Sequence, residues 1–196
     1  MTDSKSILLV GVGGQGTILA SKLLTLGLLD KGYDVKMSEI HGMSQRGGAV
    51  SSQVRYALPP ARVASPVIEP GAADMLVSFE LMEALRWLNY LRPGGRLVVN
   101  DYRIPPMPVI TGQAAYPEHI LEELRRAAPV IAVDAAGIAT ALGNSRIMNM
   151  VLLGCIISAM GLTDIDWQRI LRANVKPAFV DLNLSALAAG IQAAGA

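Results

Sequence analysis

Ile7-Leu8-Leu9-Val10-Gly11-Val12-Gly13-Gly14-Gln15-Gly16 decides how the 196-residue chain is read. Four aliphatic residues in a row suit a strand covered on both faces. The glycines that follow suit a strand-to-helix turn, where the backbone must bend sharply or approach another group closely. The next stretch, Ile18 to Leu29, is too long and too helical in its spacing for a strand, and Lys31-Gly32 supplies a helix stop. Residues 34–39 then read as a second strand, completing a first β-α-β unit.

Further short β-rich runs at 49–56, 74–78, 96–100 and 130–133 alternate with helical patterns. They predict a doubly wound α/β fold, Rossmann-like, with a mostly parallel sheet and helices on both faces. Prolines 59, 60, 66 and 70 make 57–71 an irregular surface loop and a candidate contact arm. The spacing predicts a helix from Glu80 to Tyr90 with Leu81, Leu85 and Leu88 on one face, stopped by Pro93-Gly94-Gly95. Pro105, Pro106 and Pro108 mark a second irregular loop. Tyr116-Pro117-Glu118 opens a helix with Ile120, Leu121 and Leu124 facing inward, and from Ser145 onward the pattern is helical and alanine-rich. No internal repeat or linker divides the chain, so residues 1–196 are expected to form a single domain.

Composition narrows the function classes. Apolar residues make up 52% and charged residues 17%, a rather uncharged surface that favours a chain seated against a partner. Seventeen basic and sixteen acidic residues without a basic run point away from nucleic acid. One cysteine and two histidines cannot build a zinc cluster or an iron–sulfur centre. Cys155, inside Val151–Ile157, reads as a small buried hydrophobe. The uncharged stretch 147–163 is short for a membrane span and carries Asn149 and Ser158, so it reads as a buried helix. Residues 1–5 lack a signal-peptide order, and a cytoplasmic location without membrane association is the expectation.

Gly11, Gly13 and Gly16 satisfy the G-x-G-x-x-G spacing in its strand-then-helix context, and Glu39 stands where a ribose-binding acid would. A nicotinamide-dependent reductase is therefore one reading. Gln15 within the turn and the polar cluster after Glu39 speak for a specialised loop instead. That cluster, His41-Gly42-Met43-Ser44-Gln45-Arg46-Gly47-Gly48, sets the forked donor of Arg46 among glycines, a pattern suited to phosphate or carboxylate or to a subunit contact. His41 has no nucleophile or carboxylate tied to it, and no Ser-His-Asp set exists, so no residue is assigned a catalytic role. Asn149 needs a hydrogen bond if buried. Asn100-Asp101 reads equally as a turn or as part of a ligand edge.

Gly11-Val-Gly-Gly-Gln-Gly16, Ser38-Glu-Ile-His-Gly-Met-Ser-Gln-Arg-Gly-Gly48, Arg92-Pro-Gly-Gly95 and Asn149-Met-Val-Leu-Leu-Gly154 together resemble the gamma component of the 2-oxoacid:ferredoxin oxidoreductases, in the form typical of the indolepyruvate branch. The resemblance runs from Ile7 to about Gly190. It implies an accessory subunit without a redox centre, inactive alone, in a complex that decarboxylates a 2-oxoacid oxidatively with coenzyme A and passes electrons to ferredoxin. It implies thiamine diphosphate, iron–sulfur clusters and coenzyme A held through a large partner subunit, with a homodimer as a candidate state of the isolated chain. Gly11, Gly13, Gly14, Gln15, Gly16, Glu39, His41, Gly42, Ser44, Gln45, Arg46, Gly47 and Gly48 become the residues to place, on the coenzyme A side or at the subunit interface. A pure assembly module that binds no small molecule is the remaining alternative.

Overall fold

A computed structural model describes residues 4–41 and 48–195, without the side chain of His41. Six strands form one sheet: β1 (Ser4–Val12), β2 (Asp34–His41), β3 (Ala49–Ala57), β4 (Ala73–Ser78), β5 (Leu91–Asn100) and β6 (Val130–Val133). Their spatial order is β2-β3-β1-β4-β5-β6. The β1-β4, β4-β5 and β5-β6 pairs are parallel, whereas β3 runs antiparallel to both β1 and β2. All six expected strands exist and the sheet is mixed. The expected first β-α-β unit is altered in one respect: β1 and β2 are not neighbours, because β3 is inserted between them.

Helices α1 (Thr17–Asp30), α2 (Leu81–Arg86), α3 (Met107–Ile110), α4 (Ile120–Ala127), α5 (Ala135–Ala141), α6 (Met148–Met160), α7 (Trp167–Asn174) and α8 (Val180–Gly195) complete the fold. One face of the sheet buries Ile7, Leu9, Met75 and Val77 against α1, α5, α6, α7 and α8. The other buries Leu8, Val10, Leu76 and Leu97 against α2 and α4. Alternate residues of β1 serve opposite faces because side chains alternate along a strand, and both layers are apolar, which is why Ile7 to Val10 read as an unbroken hydrophobic run.

Strand β3 departs from that rule. Ser51, Ser52 and Gln53 are buried in it. Its outer side is covered by the proline-rich segment after it rather than by a helix: Gln53 Oε1 accepts from Ile68 N at 2.6 Å, and Arg55 donates to Ser65 O and Val67 O at 3.2 and 3.3 Å. Lys36 and Asp34 of β2 bond the same segment at Ala64 O and Val63 N. An irregular backbone has unpaired donors and acceptors, and polar strand residues satisfy them. The expected contact arm is thus laid across the chain's own sheet.

The helix expected over Glu80–Tyr90 is shorter. It ends at Arg86, a 3-10 turn spans Leu88–Tyr90, and β5 already begins at Leu91. Leu81 is buried but Leu85 is 37% exposed, so the inferred apolar stripe does not hold. The stretch 149–157 is buried throughout. Helix α8 lies so close to α6 that a Cβ at Gly154 or Gly190 would strike the backbone of the facing helix at Leu187 or Val151. Small residues permit that approach. Pro177–Gly195 is long and apolar enough to span a membrane by length and composition alone, and within this fold it is the partner of α6.

Candidate functional site

The carboxyl ends of β1, β4, β5 and β6 collect on one edge of the sheet, where ligands of open α/β sheets bind. The glycine turn lies there. Gly14 and Gly16 take φ values of +101° and +83°, open to glycine and strained for other residues. A Cβ at Gly11 would meet Gln15 Oε1 at 2.8 Å and Phe79 Cβ at 2.9 Å; one at Gly16 would meet Asn149 Nδ2 at 2.6 Å. Nothing lies within 4 Å of a Cβ at Gly14, which faces open space.

Gln15 is 6% exposed and turned inward. Its Oε1 accepts from Val12 N at 2.8 Å and its Nε2 donates to Phe79 O at 2.8 Å, tying the turn to the end of β4. Asn100, fully buried, donates to the same carbonyl at 3.2 Å and accepts from Ala135 N at 3.0 Å. Asn149 donates to Gly16 O at 3.3 Å, the hydrogen bond its burial required. Gln15 and Asn149 therefore hold the turn through bonds within the protein, and Asn100 shares the Phe79 carbonyl with Gln15. Gly13 N donates to Gly48 O at 2.9 Å, so the end of the second glycine cluster touches the first. Gly42, Ser44, Gln45, Arg46 and Gly47, with the His41 side chain, lie outside the described residues.

Glu39 is elsewhere. It sits on β2 opposite Ser52, with the whole of β3 between it and β1, and its carboxylate reaches Ser21 Oγ of α1 at 3.5 Å. In dinucleotide-binding sheets the acid-bearing strand lies beside the glycine-turn strand. The insertion of β3 separates the two halves of that fingerprint.

A cleft of about 310 Å³ opens where the turn faces solvent, lined by Gly14, Gln15, Gly16, Tyr102, Ser145 and Arg146 among others. Gly16 caps α1 with no side-chain bond, leaving first-turn N–H groups free for an anion, and Arg146 brings a full positive charge to the same opening. Asn144 Oδ1 accepts from Arg146 N at 3.0 Å and orients the turn that carries it. Sequence reasoning missed Tyr102 and Arg146 as site residues, because only the fold brings segments so far apart to the glycine turn.

Beside this cleft, a cavity of about 470 Å³ runs between α2 and the 104–110 segment, reaching Gly48 and Ala49. Glu80 and Glu83 stand in its floor, both almost fully buried. Glu80 accepts from Glu83 N at 2.9 Å, from Ile104 N at 3.2 Å and from the Tyr116 hydroxyl, pinning the loop after β5 to α2. Burial pushes the Glu83 carboxyl above its ordinary range, with Glu80 adding to the rise, while Arg86 and the Trp87 indole N–H oppose it. Cys155 donates to Gly190 O at 3.3 Å, and burial pushes its thiol up to about 12, far from a reactive thiolate. Among the described residues no three His, Cys, Asp or Glu side chains stand together as a metal site.

Fold and edge together define an α/β chain whose glycine turn is held by internal amides beside an anion-suited cleft. The sequence profile of pyruvate ferredoxin/flavodoxin oxidoreductases matches residues 6–193, and the chain belongs to that family. It is 39% identical over 197 residues to the indolepyruvate oxidoreductase subunit IorB of Pyrococcus horikoshii, covering 96% of this chain and 95% of the relative. It is 28% identical over 159 residues to the pyruvate/ketoisovalerate oxidoreductases common subunit gamma of Thermococcus kodakarensis, covering 80% of this chain and 78% of that one. The crystal structure of pyruvate oxidoreductase subunit PORC from Thermotoga maritima shares the fold, with a TM-score of 0.74 at 20% identity over 97% of this chain and 96% of that one.

Proposed function

We propose that this chain is the small accessory subunit of an indolepyruvate-type 2-oxoacid:ferredoxin oxidoreductase, acting in the cytoplasm as one domain beside a large subunit. The observation that carries the reading is the 39% identity to an indolepyruvate oxidoreductase subunit, sustained over nearly the full length of both chains. The complex converts a 2-oxoacid and coenzyme A to carbon dioxide and an acyl-CoA, and the electrons leave through iron–sulfur clusters to ferredoxin. Thiamine diphosphate and the clusters belong to the partner. The single cysteine, buried and bonded to Gly190 O, does not fit a cluster.

This chain's part is positioning. The described residues that fit an anionic group of coenzyme A, or a carboxylate of the partner, are the first-turn N–H groups of α1 and Arg146 at the mouth of the cleft, and Arg46, outside the described residues, is a further candidate by its sequence. Gly11, Gly13 and Gly16 keep the turn narrow, and Gly14 leaves its outer side clear. The antiparallel insertion of β3, which parts Glu39 from the turn, supports this reading over the nicotinamide reductase.

Co-purification with the large subunit, followed by coenzyme A-dependent reduction of ferredoxin with indolepyruvate, tests the proposal. A brown, active complex that neither chain gives alone is the expected result. Micromolar binding of NADH by the isolated chain, abolished by Gly13→Asp, would return it to the reductase reading. Within the active complex, Arg46→Ala and Arg146→Ala are each expected to raise the KM for coenzyme A about tenfold, the loss of one charge-assisted contact. Failure of the complex to assemble with either variant would assign that arginine to the interface.

A further inference from the structure

The amino-terminal edge of the sheet carries the Arg92-Pro93-Gly94-Gly95 motif, which the proposed function leaves unused. Pairing of β4 with β5 passes from Ala73↔Leu91 to Met75↔Arg96, so the second strand spends five residues where the first spends two. The surplus bulges outward with Gly94 at φ +74°, and no atom lies within 4 Å of where its Cβ would be. A bulge re-aims the side chains beside it. Here it sets Arg92 and Arg96 on one opening.

Two clefts of about 340 and 380 Å³ adjoin at this point and share Lys5, Asp74 and Arg92. The first adds Gly94 and Arg96 to its walls, the second Arg55. Among the described residues three cations, Lys5, Arg92 and Arg96, line the first cleft with one carboxylate, Asp74, while Arg55 stands in the second. Asp74 is nearly enclosed, held by Ser6 N at 2.8 Å, and one of its oxygens draws in both Arg92 Nε at 2.8 Å and Lys5 Nζ at 3.6 Å. One negative charge gathers two positive ones and neutralises only one of them. Arg96 is held from behind by Ala159 O at the end of α6 at 3.3 Å, and Arg55 by Ser65 O and Val67 O. Each guanidinium is fixed through part of its donor set, and five donors on one planar group leave others for a ligand.

We propose that this edge is a second binding site, for a small phosphate-bearing anion of the diphosphate class, seated over the Asp74–Arg92 pair between Lys5 and Arg96. The excess of cations matches a multiply charged anion, a planar fork matches phosphate oxygens, and the exposed glycine leaves the approach clear. The site stands at the opposite end of the strands from the glycine turn, so occupancy of one does not obstruct the other. A diphosphate-bearing ligand here reaches the complex without entering the cleft of Arg146.

Titration calorimetry of the full chain with inorganic diphosphate at low ionic strength tests this. Saturable binding of one diphosphate is expected, weakened about tenfold by Arg96→Ala and by Arg92→Ala, in line with the loss of one charge-assisted contact each. Arg125→Ala, on α4, should leave it unchanged. Arg96→Ala alters an exposed side chain, and an unchanged melting temperature separates lost binding from lost folding. Three results overturn the proposal: no saturable heat, binding removed by Arg146→Ala but kept by both edge variants, or a polyglutamate peptide that binds the edge more tightly than diphosphate, which would make it a protein-docking surface.

Discussion

Gly11 and Gly16 at the carboxyl end of this sheet and Gly94 at its amino end are glycines for different reasons. At the carboxyl end, Gly11 and Gly16 are required because Gln15, Phe79 and Asn149 already fill the space a Cβ would take, and the polar groups there are consumed internally. At the amino end, Gly94 has empty space around it and is required only by its φ of +74°. The charges differ in the same sense. Glu80 and Glu83 are buried beneath the carboxyl end, whereas the arginines and lysine of the amino end stand half in water. A glycine held by packing marks a precise scaffold, and a glycine held by conformation marks an approach.

The contrast is most exposed to failure at Gly16. Gly16→Ala combines a left-handed backbone with a collision against Asn149, and a loss of about 3 kcal/mol is expected in urea unfolding. A loss below about 1 kcal/mol would mean that Asn149 simply swings aside. Gln15→Ala leaves Val12 N and Phe79 O without their partner, and about 2 kcal/mol should disappear. If the melting curve hardly moves, the turn is not anchored by this amide. At the other end Gly94→Ala meets only the backbone term, about 1 kcal/mol, and a penalty as large as that at Gly16 would erase the distinction.

The smallest effect concerns pH. The folded-state carboxyl of Glu83 titrates above its ordinary value of 4.5. A proton bound more tightly in the folded state stabilises fully below the unfolded value, and that contribution is lost as pH rises through the raised one. Glu83→Gln removes the titration. Its melting temperature relative to the parent should therefore move in favour of the variant between pH 4 and pH 7. A difference that stays flat across that range would show that Arg86 and Trp87 compensate the burial in full.

Much of this was legible without coordinates. Ile7 to Val10 announced a strand with two covered faces, Gly11 to Gly16 a strand-to-helix turn, and the buried state of Cys155 followed from its aliphatic neighbours. Asn149 was legible as a group needing a partner, though not that the partner is Gly16 O. The strand at 49–56 was legible too, but not the burial of its polar residues, which has a non-local reason: Gln53 hides in β3 because an irregular segment offers it a backbone N–H. The false helix end at Pro93-Gly94-Gly95 has the same root, since a bulge inside β5 and a helix stop draw on the same residues.

The sequence by itself determined the alternation of elements and the two glycine clusters, because periodicity and backbone permissiveness are written in adjacent residues, and its motifs carried the resemblance to the family. Only the tertiary structure decided that β3 separates Glu39 from the glycine turn, that Arg146 reaches the same cleft as Gly14, and that Lys5, Arg92 and Arg96 share a cleft with Asp74. Strand order and the meeting of distant segments depend on which faces can be buried together, a property of the whole chain that no local window contains.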